Sequence, residues 1–533
     1  MNWRRCGNGL RHPRLPNLLS DSVFVCPDNN LKYDAAMPKM IRNLIWQKLV
    51  AVALATASVA AAAAPDPSGS SAGDLLLLDN LGRLVRVPTN DVPASWQPAA
   101  ASGLQRQLPN PTAGASLPEE ILRRAHATTN GFQFFPATPP RLMPYLASQD
   151  DYGNTAIRPG ALFYFIPLEG PVQGGKYRLS DWGFRYSLDQ TLTYASLTGV
   201  KKGNSDLSFY TLDLKSKLAV LDAPDAGTAG WISSQIEAKN GLDASGGSQS
   251  AKSNLGTLTD PTGIWSSVNG FRIPEVAWQE SARHGEIVAV AGMVSQQNYI
   301  DGNAYAASGR SKFINSALIH SQVLPLAQNN FGVNLQWQPL DEWYAMTGAA
   351  MGNAPSGNPP WTDFSSANWS VPMELGYAPR NLLDLGPGVY RLQPFAAAVD
   401  GSSGGGLCCD LQQQLGADSP LGWFGRGGFG DSKVSAGADR QIGSGFVLQG
   451  PLEHLLLQRK SNDFLGVGFV WSQPSGTDKP VYHENEYVME TVYALQLTPT
   501  IKIQPDFQMI WDPVFHKDVD HATVFQIQLV LAW

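Results

Sequence analysis

Apolar and polar residues alternate with a period of two along many segments of this chain. In residues 210–220 the even positions are mainly apolar, whereas the odd positions include Asp213, Lys215 and Lys217. Further alternating segments are residues 182–189, 373–377 and 487–497. This period places successive side chains on opposite faces of a β-strand. Repeated segments of about ten residues, separated by turn residues, are typical of a membrane β-barrel, although a soluble β-sandwich alternates in the same way.

The C-terminus favours the barrel. The last nine residues, FQIQLVLAW, alternate fully and end on Trp533. Chain ends of soluble proteins are usually polar and frayed, whereas a barrel must pair its last strand with its first to remove the open edge. We therefore predict an all-β protein, with a transmembrane antiparallel β-barrel of about 16 strands in residues 161–533 and a terminal aromatic at the membrane interface.

The N-terminal region has the organisation of an exported protein. In residues 40–64, Arg42 and Lys48 precede an apolar run and a tract of alanines. This run is too rich in alanine for a membrane-spanning helix, so we interpret it as a signal peptide with cleavage near Ala64. Residues 1–39 are then an upstream extension that results from a misassigned start.

Residues 65–160 differ in composition from the barrel region. They are rich in Pro and Ser and contain one helical candidate at 116–127, where Ser116 is a favourable N-cap and Pro118 lies in the first turn. The segment lacks a sizeable apolar core, which favours a short periplasmic or lumen-entering extension over a separate globular domain.

Composition excludes several classes of protein. Of the 533 residues, 16% are charged and 10% are aromatic, against about 25% charged in an average protein. The net charge is −7, and −12 without residues 1–64, which argues against nucleic-acid binding. Four cysteines are too few for a disulfide scaffold, and the adjacent Cys408 and Cys409 are expected to be strand residues without metal or redox chemistry.

Motifs associated with enzymes occur in unsuitable surroundings. Residues 425–430 match the G-x-G-x-x-G nucleotide motif, but their neighbours indicate strands and phosphate binding needs a helix N-terminus. The G-x-S-x-G matches at 69–73 and 401–405 lie in Gly/Ser-rich stretches rather than at a strand-to-helix elbow. His516 and His521, beside acidic residues, have only weak ligand spacing. We expect no catalytic residues, no metal, no cofactor and no enzymatic activity.

Four longer blocks carry a family pattern. They are AGMVSQQNYIDGNAYAASGRSKFINSAL at 291–318, FGVNLQWQPLDEWYAMTGAAMGNA at 331–354, CDLQQQLGADSPLGWFGRGGFGD at 409–431 and ETVYALQLTPTIKIQPDFQMIWDP at 490–513. In order and spacing these blocks resemble the carbohydrate-selective porins, the OprB type of bacterial outer-membrane channel. The family commonly has Asn-Pro-Gly-Gly where this chain has residues 511–514, and Phe where it has Trp533, which bears on substrate preference more than on fold. The resemblance implies passive diffusion of mono- and oligosaccharides across the outer membrane, and a narrowing loop in the lumen whose position it does not assign.

A sugar channel needs aromatic surfaces together with charged donors and acceptors, because sugars have apolar ring faces and many hydroxyls. The candidate pore-lining and sugar-contacting residues are the charged positions out of phase with the apolar faces. They are Arg185, Asp213, Lys215, Lys217, Glu374, Arg391, Asp410, Arg426 and Glu490. Each also has a simpler interpretation, as a lumen charge that keeps the pore hydrated and has no substrate role.

Other functions stay open at this point. The main alternative is a general porin, or a barrel for another small solute. A hydrolase would need a Ser/His pair, and His320 and His454, the histidines in predicted strands, have no acidic neighbour in sequence. An energy-coupled transporter is disfavoured because residues 65–160 are too short and Pro-rich for a globular plug. The expected partners are sugars as solutes, outer-membrane lipid and the barrel-assembly machinery, with a monomer favoured over a trimer.

Overall fold

The computed structural model describes the barrel region and two short strands that precede it. The described residues are 74–78, 84–88, 179, 183–223, 228–242, 250–263, 270–283, 286–306, 310, 312–340, 342–351, 368–416, 419–452, 463–476, 480–498 and 500–532. The predicted signal peptide at 40–64, the upstream extension 1–39, the helical candidate at 116–127, His454 and Trp533 lie outside these residues and stay predictions.

Sixteen antiparallel strands form one closed barrel, as the sequence predicts. Each strand pairs with its sequence neighbours, and the last strand pairs with the first through the register Leu529 to Leu192. The barrel therefore has no free edge, which is the condition for spanning a bilayer with strands. The first strand of the barrel begins at Phe184, and the last strand ends at Ala532.

The strands of the barrel are numbered here from β3, because a hairpin precedes them. They are β3 Phe184–Leu197, β4 Asp206–Ala223, β5 Thr228–Gly241, β6 Gly270–Ala282, β7 Ile287–Val294, β8 Asn330–Leu340, β9 Trp343–Met351, β10 Trp369–Tyr377, β11 Gly388–Val399, β12 Ser402–Gln414, β13 Leu421–Gly430, β14 Ala438–Gln449, β15 Phe464–Pro474, β16 Glu486–Gln496, β17 Ile501–Trp511 and β18 His521–Ala532. The hairpin consists of β1 Asp74–Leu78 and β2 Leu84–Pro88, which the sequence pattern did not predict.

Alternation along each strand separates an apolar outer face from a polar inner face. On β8, Val333, Leu335 and Trp337 are about half exposed, whereas the intervening Asn334 and Gln336 are buried. The same pattern holds on β18, where Phe525 and Ile527 are exposed and the alternating Gln526 and Gln528 are buried. A continuous band of exposed apolar residues around a barrel with a polar interior is typical of a lipid-facing surface, so the exposed face is the membrane face.

The two ends of the barrel differ in the length of their connections. At the end that carries both termini of the barrel, turns such as 341–342 and 497–500 are short, whereas the connections at the opposite end include 242–269 and 295–329. Short turns face the periplasm in outer-membrane barrels, and longer loops face outward. At the short-turn end the rings of Trp343 and Tyr377 stack with centroids 4.6 Å apart, as in an interfacial aromatic girdle.

The glycine-rich motif and the cysteine pair both lie within strands of the barrel. The Gly-rich segment 425–430 lies within strand β13 and has no helix after it, and Cys408 and Cys409 are adjacent residues of β12 that form no disulfide. Among the described residues, the helices are all too short or too polar to cross a membrane.

Candidate functional site

The connection between β7 and β8, residues 295–329, folds into the barrel and is called the inward loop here. The described residues include two short helices, α1 Ala251–Leu255 and α2 Ser316–Ile319. The inward loop contains α2 and a 3-10 turn, Gln296–Asn298. Asn315 caps α2 by accepting a hydrogen bond from the Ala317 N–H. Among the described residues of this loop, buried side chains occur both before and after residues 307–311, including Ile300 and Phe313, so these parts of the loop pack as part of the interior.

Four of the nine candidate residues come together on the barrel wall beside this loop. Arg391, Asp410 and Arg426 lie directly opposite one another on β11, β12 and β13, and all three point inward. Arg391 donates to Asp410 Oδ1 at 2.6 Å, and Arg426 donates to Asp410 Oδ2 at 2.9 Å and 3.1 Å. Glu374 on β10 lies 3.4 Å from the Arg391 guanidinium. The cluster is fully buried, so its charges are neutralised by pairing rather than by water.

The same cluster binds the inward loop. Arg426 Nη1 donates to the Leu318 carbonyl oxygen at 3.1 Å, and Glu374 accepts the Asp301 N–H at 3.1 Å. Asn303 Nδ2 donates to both carboxylate oxygens of Asp410, at 2.9 Å and 3.1 Å. Arg426 and Glu374 thus bind backbone groups of the inward loop.

Asp301 is the loop residue at the centre of this arrangement. Its backbone adopts the left-handed conformation, with φ at 68°, which is unusual for a residue other than glycine. Burial acts to raise the pKa of Asp301, but the charge of Arg426 and the nearby His320 hold that pKa below its usual range. Its carboxylate accepts the Ser321 N–H at 2.7 Å, which ties the two halves of the loop together.

The structure corrects the expectation for His320. It is not in a strand but follows α2. Its ring Nδ1 lies 3.6 Å from the carboxylate of Asp301, an acidic partner that is not its neighbour in sequence. The nearby Ser321 hydroxyl lies 3.5 Å from Cys408 Sγ.

Three further inner-wall residues, on β14, β16 and β17, hold the loop beyond this cluster. Glu490 on β16 accepts the N–H groups of Ile314 and Asn315, at 2.5 Å and 2.8 Å. Gln441 on β14 donates to the Ala317 carbonyl at 2.9 Å, and Gln504 on β17 donates to the Lys312 carbonyl at 2.6 Å. The loop is thus bound through its backbone around a large part of the wall.

A second segment from the same end of the barrel, residues 250–263, supports the first and is called the supporting loop. Glu486 on β16 accepts the N–H groups of Leu258 and Thr259, at 2.5 Å and 3.0 Å. The two loops exchange hydrogen bonds, since the Ser316 N–H donates to the Asp260 carbonyl and the Asp260 N–H to Ser316 Oγ. Gly263 has φ at 55°, and a Cβ there would collide with the Ile314 carbonyl oxygen, so the approach of the loops requires glycine.

The remaining candidates lie on the inner faces of β3 to β6, which we call the charged wall. Asp213 accepts from Arg310 of the inward loop at 3.1 Å and lies 3.9 Å from Lys215. Lys217 donates to Gln279 at 2.9 Å, and Arg185 lies opposite it in the β3–β4 register. All four candidates here point inward and are buried.

Contacts of the inward loop with the charged wall are made by side chains. Besides Arg310, Asn298 donates to Gln235 at 3.1 Å and to Glu275 at 3.2 Å, and the Tyr299 hydroxyl donates to Glu275 at 2.8 Å. On this wall charges are also paired between strands, as where Glu237 on β5 meets Arg272 on β6.

Sequence reasoning missed most of the groups that build this interior. They are loop residues (Asp301, Asn303, Asn315) and inward-facing glutamines of the strands (Gln412, Gln441, Gln504, Gln508, Gln526). The alternation that selected charged inward residues would also have selected the glutamines, since both are out of phase with the apolar face. Nothing in the pattern identifies the partners of the loop residues.

The described residues contain no group of three His, Cys, Asp or Glu side chains arranged to hold a metal ion. His516 lies in the connection between β17 and β18 and is buried. The Asp518 N–H lies 3.3 Å from its ring Nδ1. His521 begins β18 and is exposed. The two histidines therefore have separate surroundings.

Comparisons with known proteins agree with the geometry. A family model described as carbohydrate-selective porin, OprB family, matches residues 228–398 and 393–530, which is more than half of the chain. The high-pH structure of Pseudomonas putida OprB matches with a TM-score of 0.57 and 16% identity, over 71% of this chain and 100% of that chain. The low-pH structure of the same protein has a TM-score of 0.44 and 15% identity, over 68% of this chain and 97% of that chain. A Rh. blastica porin variant has a TM-score of 0.41 and 8% identity, over 66% of this chain and 100% of that chain. A search of curated proteins gave no match.

Proposed function

Because the chain belongs to the carbohydrate-selective porin family of the OprB type, we propose that its inward loop forms the selective part of a passive sugar channel. The protein is a multi-pass outer-membrane barrel that acts as a channel, and its solutes are carbohydrates. The observation that supports the proposal best is the loop itself, which is bound through its backbone to Glu374, Arg426 and Glu490 on separate parts of the wall.

Passage through such a pore follows from the arrangement of polar groups. A sugar exchanges hydrogen bonds with water for hydrogen bonds with wall and loop side chains, which keeps the cost of entering a narrow passage small. Fixed positions of donors and acceptors discriminate between solutes of equal size, because an unmatched polar group loses its hydration without replacement. No energy source is needed, since the solute moves down its own gradient.

The nine candidate residues take two roles in this proposal. Glu374, Arg391, Asp410, Arg426 and Glu490 position the inward loop, and their direct contact with sugar is a secondary expectation. Arg185, Asp213, Lys215 and Lys217 set the electrostatic potential of the passage and are the nearer candidates for solute contact. Both roles are supported by the contacts described above.

Several further expectations belong to the same proposal. The protein has no enzymatic activity and needs no cofactor, it reaches the membrane through a signal peptide at 40–64 and the barrel-assembly machinery, and it works as a monomer rather than a trimer. Residues 65–160 act as a periplasmic extension. A general porin without sugar selectivity is the second candidate function, supported by the many charged pairs that would keep any pore hydrated.

Liposome swelling tests the proposal directly. Purified barrel is reconstituted, and swelling rates are measured for a graded series of sugars and for amino acids and salts of matched size. Faster entry of sugars than of size-matched amino acids is expected. Rates that depend on solute size alone would support the general porin and contradict the sugar-selective channel.

A further inference from the structure

The connection between β17 and β18, residues 512–520, lies at the outward-facing end of the barrel, and we call it the outer turn. It packs on the supporting loop, where the Phe515 N–H donates to the Gly256 carbonyl at 2.8 Å. Glu486, which accepts N–H groups of the supporting loop, also accepts the Val514 N–H at 3.4 Å. Because the supporting loop is hydrogen-bonded to the inward loop, the outer turn is linked to the interior of the channel.

His516 lies at the centre of the outer turn, and its side chain is buried. Its ring Nδ1 accepts a hydrogen bond from the Asp518 N–H at 3.3 Å. Its backbone carbonyl accepts one from His483 Nε2, at 3.0 Å. An imidazole nitrogen accepts a hydrogen bond only when it carries no proton. The observed contact with Asp518 therefore requires the neutral form of His516.

The surroundings of this ring oppose a positive charge. The outer turn meets the supporting loop through an uncharged glycine, and Lys201 of the β3–β4 turn donates to the Phe515 carbonyl, next to His516. Burial and the charge of Lys201 lower the pKa of His516, and the charge of Asp518 only partly offsets them. The charged and titratable groups at this junction are Lys201, His483, Glu486, Asp512, Lys517 and Asp518.

We propose that His516 is an acid-sensitive switch, whose neutral ring keeps the outer turn folded on the supporting loop and whose protonation releases it. A proton on Nδ1 makes this atom a donor, so the Asp518 N–H loses its acceptor and faces a second N–H group. The new charge also lies near Lys201 and His483 and is repelled by their positive charges. His483 differs from His516, because its Nε2 donates its hydrogen bond whether or not the ring is charged.

The direction of the pH effect follows from these contacts. The folded turn binds a proton on His516 less readily than the released turn does, because the pKa of His516 is lowered in the folded turn. The contribution of His516 to the folded turn is therefore complete above a pH of about 6.5 and is lost as the pH falls below it. Release of the outer turn loosens the supporting loop and, through it, the inward loop. The inference goes beyond the proposed function, since it holds for any solute.

Hydrogen exchange measured by mass spectrometry on reconstituted barrel tests the switch, at a pH of about 7.5 and of about 5, with correction for the intrinsic exchange rate. Peptides that cover 250–263 and 512–520 should exchange about fivefold faster at the acid pH, as expected for the loss of one hydrogen bond. In His516→Asn the side-chain oxygen accepts the same N–H two residues on, but it is not protonated in this range, so the acid response should disappear.

The matched control is His521→Asn, which replaces an exposed histidine at the start of β18 and should keep the acid response of the parent chain. The current through single barrels provides a second measurement. Its fluctuations should become more frequent at the acid pH in the parent and in His521→Asn, but not in His516→Asn.

Two results would overturn the switch. One is exchange in 512–520 that does not change with pH in the parent barrel, and the other is an acid response of the same size in His516→Asn. Should His516→Asn not assemble, as judged by heat-modifiable migration on gels, His516→Gln carries the same comparison, and a full acid response there also contradicts the inference. Swelling rates that follow solute size alone at neutral pH would contradict the proposed function and leave the exchange result unaffected.

Discussion

The inner wall of this barrel has two regions that use charged residues differently. On β10 to β17, which we call the anchoring wall, Glu374, Arg426 and Glu490 make hydrogen bonds to backbone groups of the inward loop. On the charged wall, β3 to β6, the charged side chains meet one another and the side chains of the loop, as in the contact between Asp213 and Arg310.

The difference shows that an inward charge in a barrel does not by itself identify a pore-lining residue. A charge that is bonded to backbone and buried beside its counter-charge serves mainly to hold a loop in place. A charge paired only through side chains can exchange partners more readily, and it contributes to the field that a solute meets. We expect substitutions on the anchoring wall to change stability and loop position, and those on the charged wall to change ion selectivity.

The largest effect is expected from removing the strand that joins the two walls. β18 pairs with β17 on the anchoring side and with β3 on the charged side. Deleting residues 525–533 leaves two open edges, so assembly into the outer membrane should fall sharply. Heat-modifiable barrel on gels measures this, with Trp533→Ala as a milder change at the strand end. An unchanged barrel yield after the deletion would show that this strand does not close the barrel.

Arg426→Ala is expected to have the next largest effect, on the anchoring wall. It leaves the buried Asp410 and Asp301 carboxylates short of a counter-charge, which costs about 3–5 kcal/mol of barrel stability. The loop should also loosen, with higher conductance, weaker sugar block and a shift of ion selectivity toward cations. Thermal unfolding and single-channel conductance are the measurements.

The matched variant on the charged wall is Arg185→Ala. It should change ion selectivity while leaving conductance and thermal stability closer to those of the parent. If Arg185→Ala destabilised the barrel as much as Arg426→Ala, the distinction between the two walls would be wrong. An unchanged maltose block in Arg426→Ala would remove Arg426 from the sugar-contacting candidates.

Glu490→Gln should have an intermediate effect. The carboxamide still accepts one hydrogen bond from the loop backbone, but its NH₂ group replaces the second acceptor oxygen, so one of the bonds from the Ile314 and Asn315 N–H groups is lost, at a cost of about 1–2 kcal/mol. We expect more frequent fluctuations of the open-channel current, without loss of assembly. Glu286→Gln, at the turn between β6 and β7, serves as a control that removes a carboxylate away from the loop. Equal current noise in both variants would contradict the anchoring role of Glu490.

The smallest effect is expected for Lys215→Gln on the charged wall. Removing one positive charge from the passage should shift the reversal potential in a KCl gradient toward cation selectivity, with little change in thermal stability. Lys433→Gln, in the exposed connection between β13 and β14, is the comparison for a charge at the barrel mouth. If both variants shifted the reversal potential equally, Lys215 would have no special place in the passage.

Alternation in the sequence was sufficient to predict which side chains face inward. Asp213, Lys215, Lys217, Glu374 and Glu490 are all buried on the inner face, as their phase relative to the apolar positions predicts. A strand side chain has only two directions to take, so a period of two decides its face as soon as the apolar face is known to meet lipid. The strand number of about 16 was likewise predictable from the length of the region.

The sequence did not predict what the inward side chains touch. Arg426 was predicted only as a pore-lining candidate, whereas the structure shows it bonded to Asp410 and to the carbonyl of Leu318, which is more than a hundred positions away in sequence. His320 was expected in a strand and instead follows α2 inside the barrel, beside Asp301. Short helices in an inward loop carry no periodic signal long enough to recognise.

The sequence by itself determined the class of this protein: an outer-membrane barrel with a lipid-facing apolar side, a polar interior and a closing terminal strand. These features are local, because each depends on the order of residues within one strand. Only the tertiary structure decided that residues 295–329 fold into the lumen and that Glu374, Arg426 and Glu490 hold them there. These features depend on which strands become neighbours when the barrel closes and on where a loop crosses it, and neither is encoded in the spacing of residues along the chain.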